Sequence, residues 1–204
     1  MKIAVITPYY KESMQVLSRC HNSVVKQTYT DITHFMVSDG FPKWFSFNVE
    51  HLILPNAGDY GDTPRGIGAA VASSRGYDAV AFLDADNWYE PDHIERMVGV
   101  MKESGRPIVT CPRNLFKENG DFLGVDIESD GYEFNDTNCY LINKSVYGIN
   151  SCWMFKTKEQ AQVGDRILWQ AIKKLDIQVA RSTRPTINYT TKLQMHYQQH
   201  GETL

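Results

Sequence analysis

Short apolar runs alternate with segments of helical periodicity along the first half of the 204-residue chain. The apolar runs predict strands, and they lie at residues 2–6, 34–38, 51–54 and 79–83. Apolar residues that recur every three or four positions predict helices after Ser13 and between Pro91 and Gly105. Thr63, followed by Pro64, is the predicted N-cap of another helix. Strands that alternate with helices are typical of a parallel sheet covered by helices. The pattern therefore predicts an α/β fold with a mostly parallel central sheet and flanking helices.

The second half of the chain departs from this alternation. Residues 122–143 show strands and turns without helical periodicity, whereas residues 162–175 predict one more helix and residues 177–180 a strand. A polar, histidine-containing tail follows. Because no internal repeat or Pro/Gly/Ser-rich linker marks a boundary, we predict one domain over residues 1–204.

Composition argues against several kinds of partner, cofactor and location. The net charge of −3 comes from interspersed acids and bases without a basic block, so nucleic acid is not an expected partner. The four cysteines form no C-x-x-C pair, which argues against zinc and against a disulfide framework. The first apolar run is too short for a signal peptide, and no segment approaches the roughly 20 apolar residues of a membrane span. We expect a soluble, cytoplasmic protein with no integral membrane segment.

Two carboxylates follow the apolar run at residues 79–83, one residue apart. In an extended backbone residues i and i+2 project to the same side, so Asp84 and Asp86 can face one cation or one polyol. Carboxylate oxygens suit Mg²⁺ or Mn²⁺, and phosphates of a ligand usually complete the coordination sphere. The alternative is a solvated turn in which the two acids cap the following helix. The rest of the chain favours the metal site.

Polar side chains also follow the other predicted strands. The first strand leads into Thr7, Pro8, Tyr9 and Tyr10, the second into Asp39, and the third into Asp59, Asp62 and Arg65. In open α/β sheets, ligands bind outside the carboxyl ends of the strands. An aromatic ring, a carboxylate for a diol, an arginine and a metal-binding pair together match what a nucleotide diphosphate presents.

Four blocks of sequence resemble the inverting glycosyltransferases of family 2, which have the GT-A fold. The blocks are Ile3–Glu12, Val37–Gly40, Arg65–Ala70 and Phe82–Asp86. The usual double aspartate after the second strand is Ser38-Asp39 here, which leaves one carboxylate. The resemblance implies a single Rossmann-like GT-A domain, in which residues 1–105 bind the nucleotide sugar and residues 106–204 form the acceptor side.

The resemblance also implies a nucleotide-diphosphate sugar as donor, most commonly a UDP-sugar, and a hydroxyl group as acceptor. The matching donor-binding positions are Thr7, Pro8, Tyr9, Asp39, Arg65 and Asp84. Thr7 and Tyr9 would line the base, and Tyr9 would stack on it. Asp39 would accept hydrogen bonds from the base or ribose, Arg65 would reach the base or phosphates, and Asp84 would contact the ribose or sugar.

A divalent metal, Mn²⁺ or Mg²⁺, is the implied cofactor. Asp86 would bind it directly, and the metal would neutralise the departing diphosphate. Enzymes of this fold often add a histidine ligand from near the carboxyl terminus. His196, which Tyr197 follows, matches that pattern better than His200 does, although imidazole suits Mn²⁺ less readily than softer metals.

Inverting transfer requires a general base for the proton of the acceptor hydroxyl. The family places this base in an acidic pair at the start of a late helix, and the matching residue is Asp165, after Gly164. Asp165 could instead cap the helix, and a position at a helix amino terminus tends to lower a carboxyl pKa. Asp136 is the alternative base.

Two other classes of function stay open. A nucleotidyltransferase on a related sheet would need an early glycine-rich phosphate loop, and residues 7–12 contain no glycine. A non-catalytic nucleotide-sugar binding module would retain Asp84 and Asp86 but need no base. The sequence does not distinguish a saccharide acceptor from a lipid-linked or peptide acceptor.

Overall fold

Eleven strands and five α-helices build the computed structural model, which describes residues 1–204. The strands are β1 (Ile3–Tyr9), β2 (Ile32–Asp39), β3 (Glu50–Leu54), β4 (Ala79–Phe82), β5 (Trp88–Tyr89), β6 (Ile108–Thr110), β7 (Arg113–Phe116), β8 (Phe122–Val125), β9 (Tyr140–Asn143), β10 (Val179–Arg181) and β11 (Ile187–Thr190). The helices are α1 (Met14–Val25), α2 (Asp62–Ser74), α3 (His93–Ser104), α4 (Gly164–Lys174) and α5 (Gln194–Gln199). Three 3-10 helices cover Thr137–Cys139, Lys144–Trp153 and Gln160–Val163.

A seven-stranded sheet lies at the centre, in the order β10-β6-β9-β4-β1-β2-β3. β1 pairs in parallel with both β2 and β4, whereas β9 runs antiparallel between β4 and β6. All seven residues of β1 are buried, as expected for a parallel strand covered on both faces. The structure confirms the predicted α/β class and the mostly parallel sheet.

Two apolar cores lie on opposite faces of this sheet. On one face, Ile94 and Met97 of α3 pack against alternate residues of the parallel strands. On the other face, Ala69 of α2 and Leu168 and Trp169 of α4 do the same. None of the five helices combines the length and the apolar character that a bilayer crossing requires.

A second, four-stranded sheet has the order β5-β11-β7-β8. Its strand β11 pairs in parallel with β7 and antiparallel with β5. β11 and α5 belong to the segment that the sequence pattern describes only as a polar tail. Ile187 in β11 is fully buried and shares the core of the α3 face, so tertiary contacts order this tail.

The predicted helix ends are confirmed at two positions and wrong at a third. The hydroxyl of Ser13 accepts a hydrogen bond from the Val16 amide at 3.3 Å and caps α1, and Gly105 ends α3 in a left-handed conformation. Thr63 was the expected cap of α2, but this helix begins at Asp62 after Gly61. The reason is that Asp59 takes the capping role, since its Oδ2 accepts from the Thr63 amide at 2.9 Å.

Candidate functional site

A cleft of about 540 Å³ opens at the carboxyl ends of β1, β2 and β4. Among the side chains that line it are Pro8, Tyr9, Asp39, Arg65, Asp84 and Asp86. These include every predicted donor-site residue except Thr7, together with the predicted metal ligand Asp86. Parallel strands place the residues that follow them at one edge of the sheet, so residues distant in sequence meet here.

Asp84 is held in place on both of its carboxylate oxygens. Its Oδ1 accepts from Arg65 Nη2 at 2.5 Å, and its Oδ2 accepts from Asn138 Nδ2 at 3.0 Å. The Asp84 amide also donates to Asn138 Oδ1 at 2.6 Å. Arg65 is 8% exposed, so this ion pair is largely shielded from solvent. The geometry gives Asp84 a fixed orientation towards the cleft.

Asp86 differs from Asp84 because its carboxylate accepts no hydrogen bond from another side chain. Only its backbone carbonyl is engaged, by Arg19 and by the Thr190 hydroxyl. The Asp86 side chain is exposed to solvent in the cleft, but partial desolvation by the surrounding protein and the negative charge of Asp84 raise its pKa to about 6. A carboxylate with a raised pKa and no paired cation is a suitable ligand for a hard divalent ion.

A metal ion at Asp86 would need ligands from outside the protein. No group of three or more histidine, cysteine, aspartate or glutamate side chains is arranged to hold an ion alone. Mg²⁺ commonly binds through one or two carboxylates and completes its sphere with substrate phosphates and water. The donor set at Asp86 fits that mode of binding.

The structure places His196, the predicted histidine ligand of the metal, away from the cleft. This side chain is fully buried on α5, with Nδ1 at 2.7 Å from the Thr191 hydroxyl and Nε2 at 3.6 Å from Glu128 Oε2. It does not line the cleft that contains Asp86. The alternative, His200, packs against Gly124 of β8. Both rings are used in packing the carboxyl-terminal segment against the second sheet.

Thr7 and Tyr9 belong to β1, whose residues are all buried because both faces of the sheet are covered. Thr7 is fully buried, and its hydroxyl lies 2.8 Å from His34 Nε2. Tyr9 borders the cleft but is only 2% exposed, and its hydroxyl lies 2.7 Å from His51 Nε2. Its ring therefore has no face free for stacking. Tyr10, which also lines the cleft, is 38% exposed and is better placed for a base.

Asp39 lies where the sequence predicts it, at the end of β2. Its Oδ1 accepts from the Ala57 amide at 2.6 Å, and its carbonyl accepts from Asn56 Nδ2 at 3.3 Å. These bonds fix the loop after β3 beside the cleft. Oδ2 makes no hydrogen bond within the protein, so it is available to a hydroxyl or amide donor of a ligand.

Asp165 lies in the first turn of α4 and is half-buried. The residue at the cap position is Val163, whose side chain makes no capping hydrogen bond, whereas Asp165 Oδ1 accepts from the Arg166 amide in the first turn at 2.7 Å. Burial and the negative charge of Asp136 raise the pKa of Asp165 to about 6, although Arg166 and Arg65 act in the opposite direction. Burial and charge thus outweigh the effect expected of the helix terminus.

Asp136 is engaged in structural contacts. It forms a buried ion pair with Arg113, and its Oδ1 accepts from the Asn138 amide at 2.9 Å and from Asn138 Nδ2 at 2.8 Å. Arg113 also pairs with Asp126 at 2.7 Å. Asn138 donates to both Asp136 and Asp84, so this buried network holds Asp84 in position at the cleft.

Several residues of the site were not predicted, among them Asn138, Tyr60 and Tyr189. Asn138 orients Asp84, and Tyr60 and Tyr189 line the cleft. The run Asn135-Asp136-Thr137-Asn138 is a visible polar signal, and Tyr60 lies between two glycines, but nothing in the tail distinguishes Tyr189. Of the aromatic residues before Asp165, Trp153 is 1% exposed and belongs to the core, whereas Phe155 is 82% exposed.

Sequence comparison finds relatives among sugar-transferring enzymes. The profile described as glycosyl transferase family 2 matches residues 63–159. An uncharacterized glycosyltransferase from Nostoc sp. is 32% identical over 115 residues, which are 51% of this chain and 34% of that protein. Glycosyltransferase GlyA from Streptococcus pneumoniae is 29% identical over 142 residues, 64% of this chain and 19% of that protein. The succinoglycan biosynthesis protein ExoW from Rhizobium meliloti is 31% identical over 104 residues, 46% of this chain and 32% of that protein.

The chain thus spans between about a fifth and a third of the length of these relatives. Structure comparison finds crystal structures of TarS from S. aureus. The complex of TarS residues 1–349 with UDP has a TM-score of 0.72 and 16% identity over 97% of this chain and 63% of that chain. The complex with UDP-GlcNAc has a TM-score of 0.69 and 14% identity over 95% of this chain and 59% of that chain. This likeness confirms the predicted GT-A fold.

Proposed function

We propose that the chain, whose residues 63–159 match the family described as glycosyl transferase family 2, transfers a sugar from a nucleotide-diphosphate donor to an acceptor hydroxyl. One observation carries the proposal: Asp39, Arg65, Asp84 and Asp86 meet in one cleft at the carboxyl edge of the sheet. Binding of a nucleotide-diphosphate sugar calls for carboxylates that accept from its hydroxyl groups, a basic side chain and an acid that can bind a metal ion, and these four residues supply them.

We propose a UDP-sugar as the donor. The crystal structures of TarS in complex with UDP and with UDP-GlcNAc support this choice, because that protein shares the fold. In this chain, the exposed ring of Tyr10 would pack against the base, and Asp39 Oδ2 would accept from the base or ribose. Asp84, held by Arg65, would accept from hydroxyl groups of the ribose or the sugar.

Asp86 would hold a divalent cation, Mn²⁺ or Mg²⁺. When bound, the cation supplies positive charge to the diphosphate as it departs. The raised pKa of Asp86 supports this role, because a cation would relieve the repulsion between its carboxylate and that of Asp84.

Asp165 would act as the general base. As the acceptor oxygen forms its bond to the anomeric carbon, the bond from that carbon to the diphosphate oxygen breaks and the acceptor proton moves to Asp165. Attack from the face opposite the leaving group inverts the configuration. A carboxylate with a pKa near 6 is a stronger base than an ordinary aspartate and is still ionised at pH 7. Asp136 is less suited because its carboxylate pairs with Arg113.

Calorimetric titration tests the donor site without knowledge of the acceptor. UDP, GDP and TDP are titrated in parallel, first with Mn²⁺ and then with EDTA. We expect UDP to bind in Mn²⁺ and to bind much more weakly in EDTA. Asp86→Ala should abolish the difference between Mn²⁺ and EDTA, whereas Asp31→Ala, an exposed acid at the opposite end of β2, should leave it intact.

Other results would change the proposal. If no nucleotide binds under either condition, the donor site is not where we place it. If UDP binds but its sugars are neither transferred nor hydrolysed by the wild-type protein, the chain is a non-catalytic nucleotide-sugar binding module.

A further inference from the structure

Tyr60 has an unusual backbone conformation in the loop between β3 and α2. Its φ angle is +57°, and the neighbouring Gly58 and Gly61 have φ angles of +66° and +83°. The only other non-glycine residue with positive φ is Asp176, a residue type that tolerates this region, whereas a bulky tyrosine does not. Such strained positions persist where the surrounding structure enforces them, commonly at ligand sites.

Contacts from two directions hold Tyr60 in this conformation. Its carbonyl accepts from Arg65 Nη1 at 3.0 Å, and Arg65 also binds Asp84. Its hydroxyl accepts from Gln162 Nε2 at 3.3 Å across 102 residues of sequence. Gln162 lies in the 3-10 helix that directly precedes Asp165. Tyr60 therefore connects the donor side of the cleft to the segment that carries the proposed base.

The ring of Tyr60 is nevertheless 67% exposed while it lines the cleft. No aromatic residue of the chain stacks on it, in contrast to Tyr9 and Tyr10, which pack against Phe45 and Phe41. The backbone strain thus does not serve the packing of this side chain. It places a free aromatic surface at the mouth of the cleft, where a ligand can cover it.

We propose that Tyr60 binds the transferred sugar of the donor, with its ring against the apolar face of a hexose. This inference rests on the proposed function. In inverting transfer the sugar lies between the diphosphate, which Asp86 faces, and the base, Asp165. Tyr60 lines the same cleft as Asp86, and its hydroxyl is hydrogen-bonded to Gln162, three residues before Asp165. Its contacts therefore extend to both sides of the position that we propose for the sugar. Tyr60 is then a residue that determines specificity for the sugar, and it does not contact the nucleotide.

Paired calorimetric titrations of UDP and of UDP-hexoses in Mn²⁺ test this assignment. The probes are UDP, UDP-glucose, UDP-galactose and UDP-N-acetylglucosamine. Tyr60→Ala should weaken the best-bound UDP-hexose about tenfold, the usual scale for loss of an aromatic contact, and change UDP by less than twofold. Tyr60→Phe keeps the ring and should stay within threefold of the wild type for both. Tyr132→Ala, which removes a 76% exposed ring outside the cleft, is the control and should have no effect.

The outcomes separate this inference from the proposal beneath it. Absence of nucleotide binding by the wild-type protein overturns both. If UDP and UDP-hexose weaken equally in Tyr60→Ala, the residue acts on the nucleotide and the assignment to the sugar is wrong. If neither weakens, Tyr60 has no role in donor binding. If Tyr60→Phe loses as much affinity for the UDP-hexose as Tyr60→Ala does, the hydrogen bond to Gln162 is what contributes to binding, and the assignment to the ring surface is wrong. Matching melting temperatures of the variants exclude misfolding as the cause.

Discussion

Two aspartates near the cleft differ in their surroundings more than in their positions. Asp136 is fixed by an ion pair and by two hydrogen bonds from Asn138. Asp165 accepts only from the amide of the following residue, and no cation pairs with its carboxylate. A general base must be free to accept a proton, whereas a structural acid must remain ionised and bound. At the scale of the residue, these surroundings favour Asp165 over Asp136 as the general base that we propose.

Asp165→Asn is therefore expected to lower kcat for sugar transfer by roughly 10²–10⁴-fold, with UDP affinity unchanged. The folded protein should be no less stable than the wild type, because an ionised carboxylate whose pKa is raised by burial destabilises the folded state at neutral pH. Steady-state kinetics with thermal unfolding checks both parts. A variant with normal kcat would remove Asp165 from the mechanism.

The pH dependence of transfer should follow the ionisation of Asp165, whose pKa is about 6. The active form is the carboxylate, so kcat is expected to be constant above about pH 7 and to fall about tenfold per pH unit well below pH 6. The pKa of Asp86 is also about 6, so the profile is measured at saturating donor and metal. The residual activity of Asp165→Asn should lack this decline, and an identical decline in the variant would assign it to another group.

Asp136→Asn should act through stability. The substitution weakens the buried ion pair with Arg113, and loss of a hydrogen bond to a charged group costs about 1.5–3 kcal/mol. For a chain of this length we expect the melting temperature to fall by about 3–12 °C. Asp31→Asn, at an exposed position, is the matched control. An Asp136→Asn protein of normal stability that has lost transfer would make Asp136 the base.

At the scale of the element, α2 lies unusually close to the sheet because it carries glycine where it crosses β1 and β2. A Cβ atom at Gly68 would lie 2.6 Å from Ile6 Cγ2 and 3.2 Å from Val37 Cγ2. These distances are shorter than van der Waals contact, so a side chain would push the helix outwards. The same helix begins with Asp62 and carries Arg65, and its close packing brings Arg65 to Asp84.

Gly68→Ala is thus expected to destabilise the fold by about 1–2 kcal/mol, because the cost of overpacking exceeds the gain in helix propensity. Gly99→Ala in α3 is the matched control, since a Cβ there meets no atom within 4 Å. That change should stabilise the protein by about 0.5–1 kcal/mol. Urea unfolding of the two variants gives the comparison, and equal effects of the same sign would show that α2 has room to move.

The helices and strands that could be predicted are those whose own residues show apolar periodicity and clear end signals. The apolar spacing of Ile94 and Met97 and the left-handed Gly105 locate α3 from the sequence alone. The strand β11 is different, because its Asn188 and Thr190 are polar residues that satisfy their hydrogen bonds with Asn87 and Glu90 far away in the chain. The alternation of apolar and polar residues in Ile187–Thr190 is only four residues long and lies within a polar tail, so it does not stand out as a strand in the sequence.

At the scale of the whole molecule, the site forms where separate segments meet at one sheet edge. Asp39, Asp84 and Asp86 were predictable because each directly follows a strand. Arg65 follows the third strand in sequence, and its partner Asp84 follows the fourth, but their ion pair depends on the packing of α2. The position of His196 outside the cleft was not predictable either, since packing of the carboxyl-terminal tail buries this side chain on α5. The ends of the strands thus indicate where the site lies, whereas long-range packing determines which side chains contact one another there.

Such an assembled site should couple donor binding to the stability of the whole domain. The cleft brings the like charges of Asp84 and Asp86 close together, and a nucleotide with metal would join segments from both halves of the chain. A ligand that binds only the folded state at 100 times its Kd adds about 2.7 kcal/mol to the free energy of unfolding. We expect UDP with Mn²⁺ at that excess to raise the melting temperature by about 5–10 °C. EDTA should remove most of this shift, and Asp86→Ala should show the same small shift with or without Mn²⁺. A full shift in EDTA would mean that the nucleotide binds without metal and that Asp86 has another role.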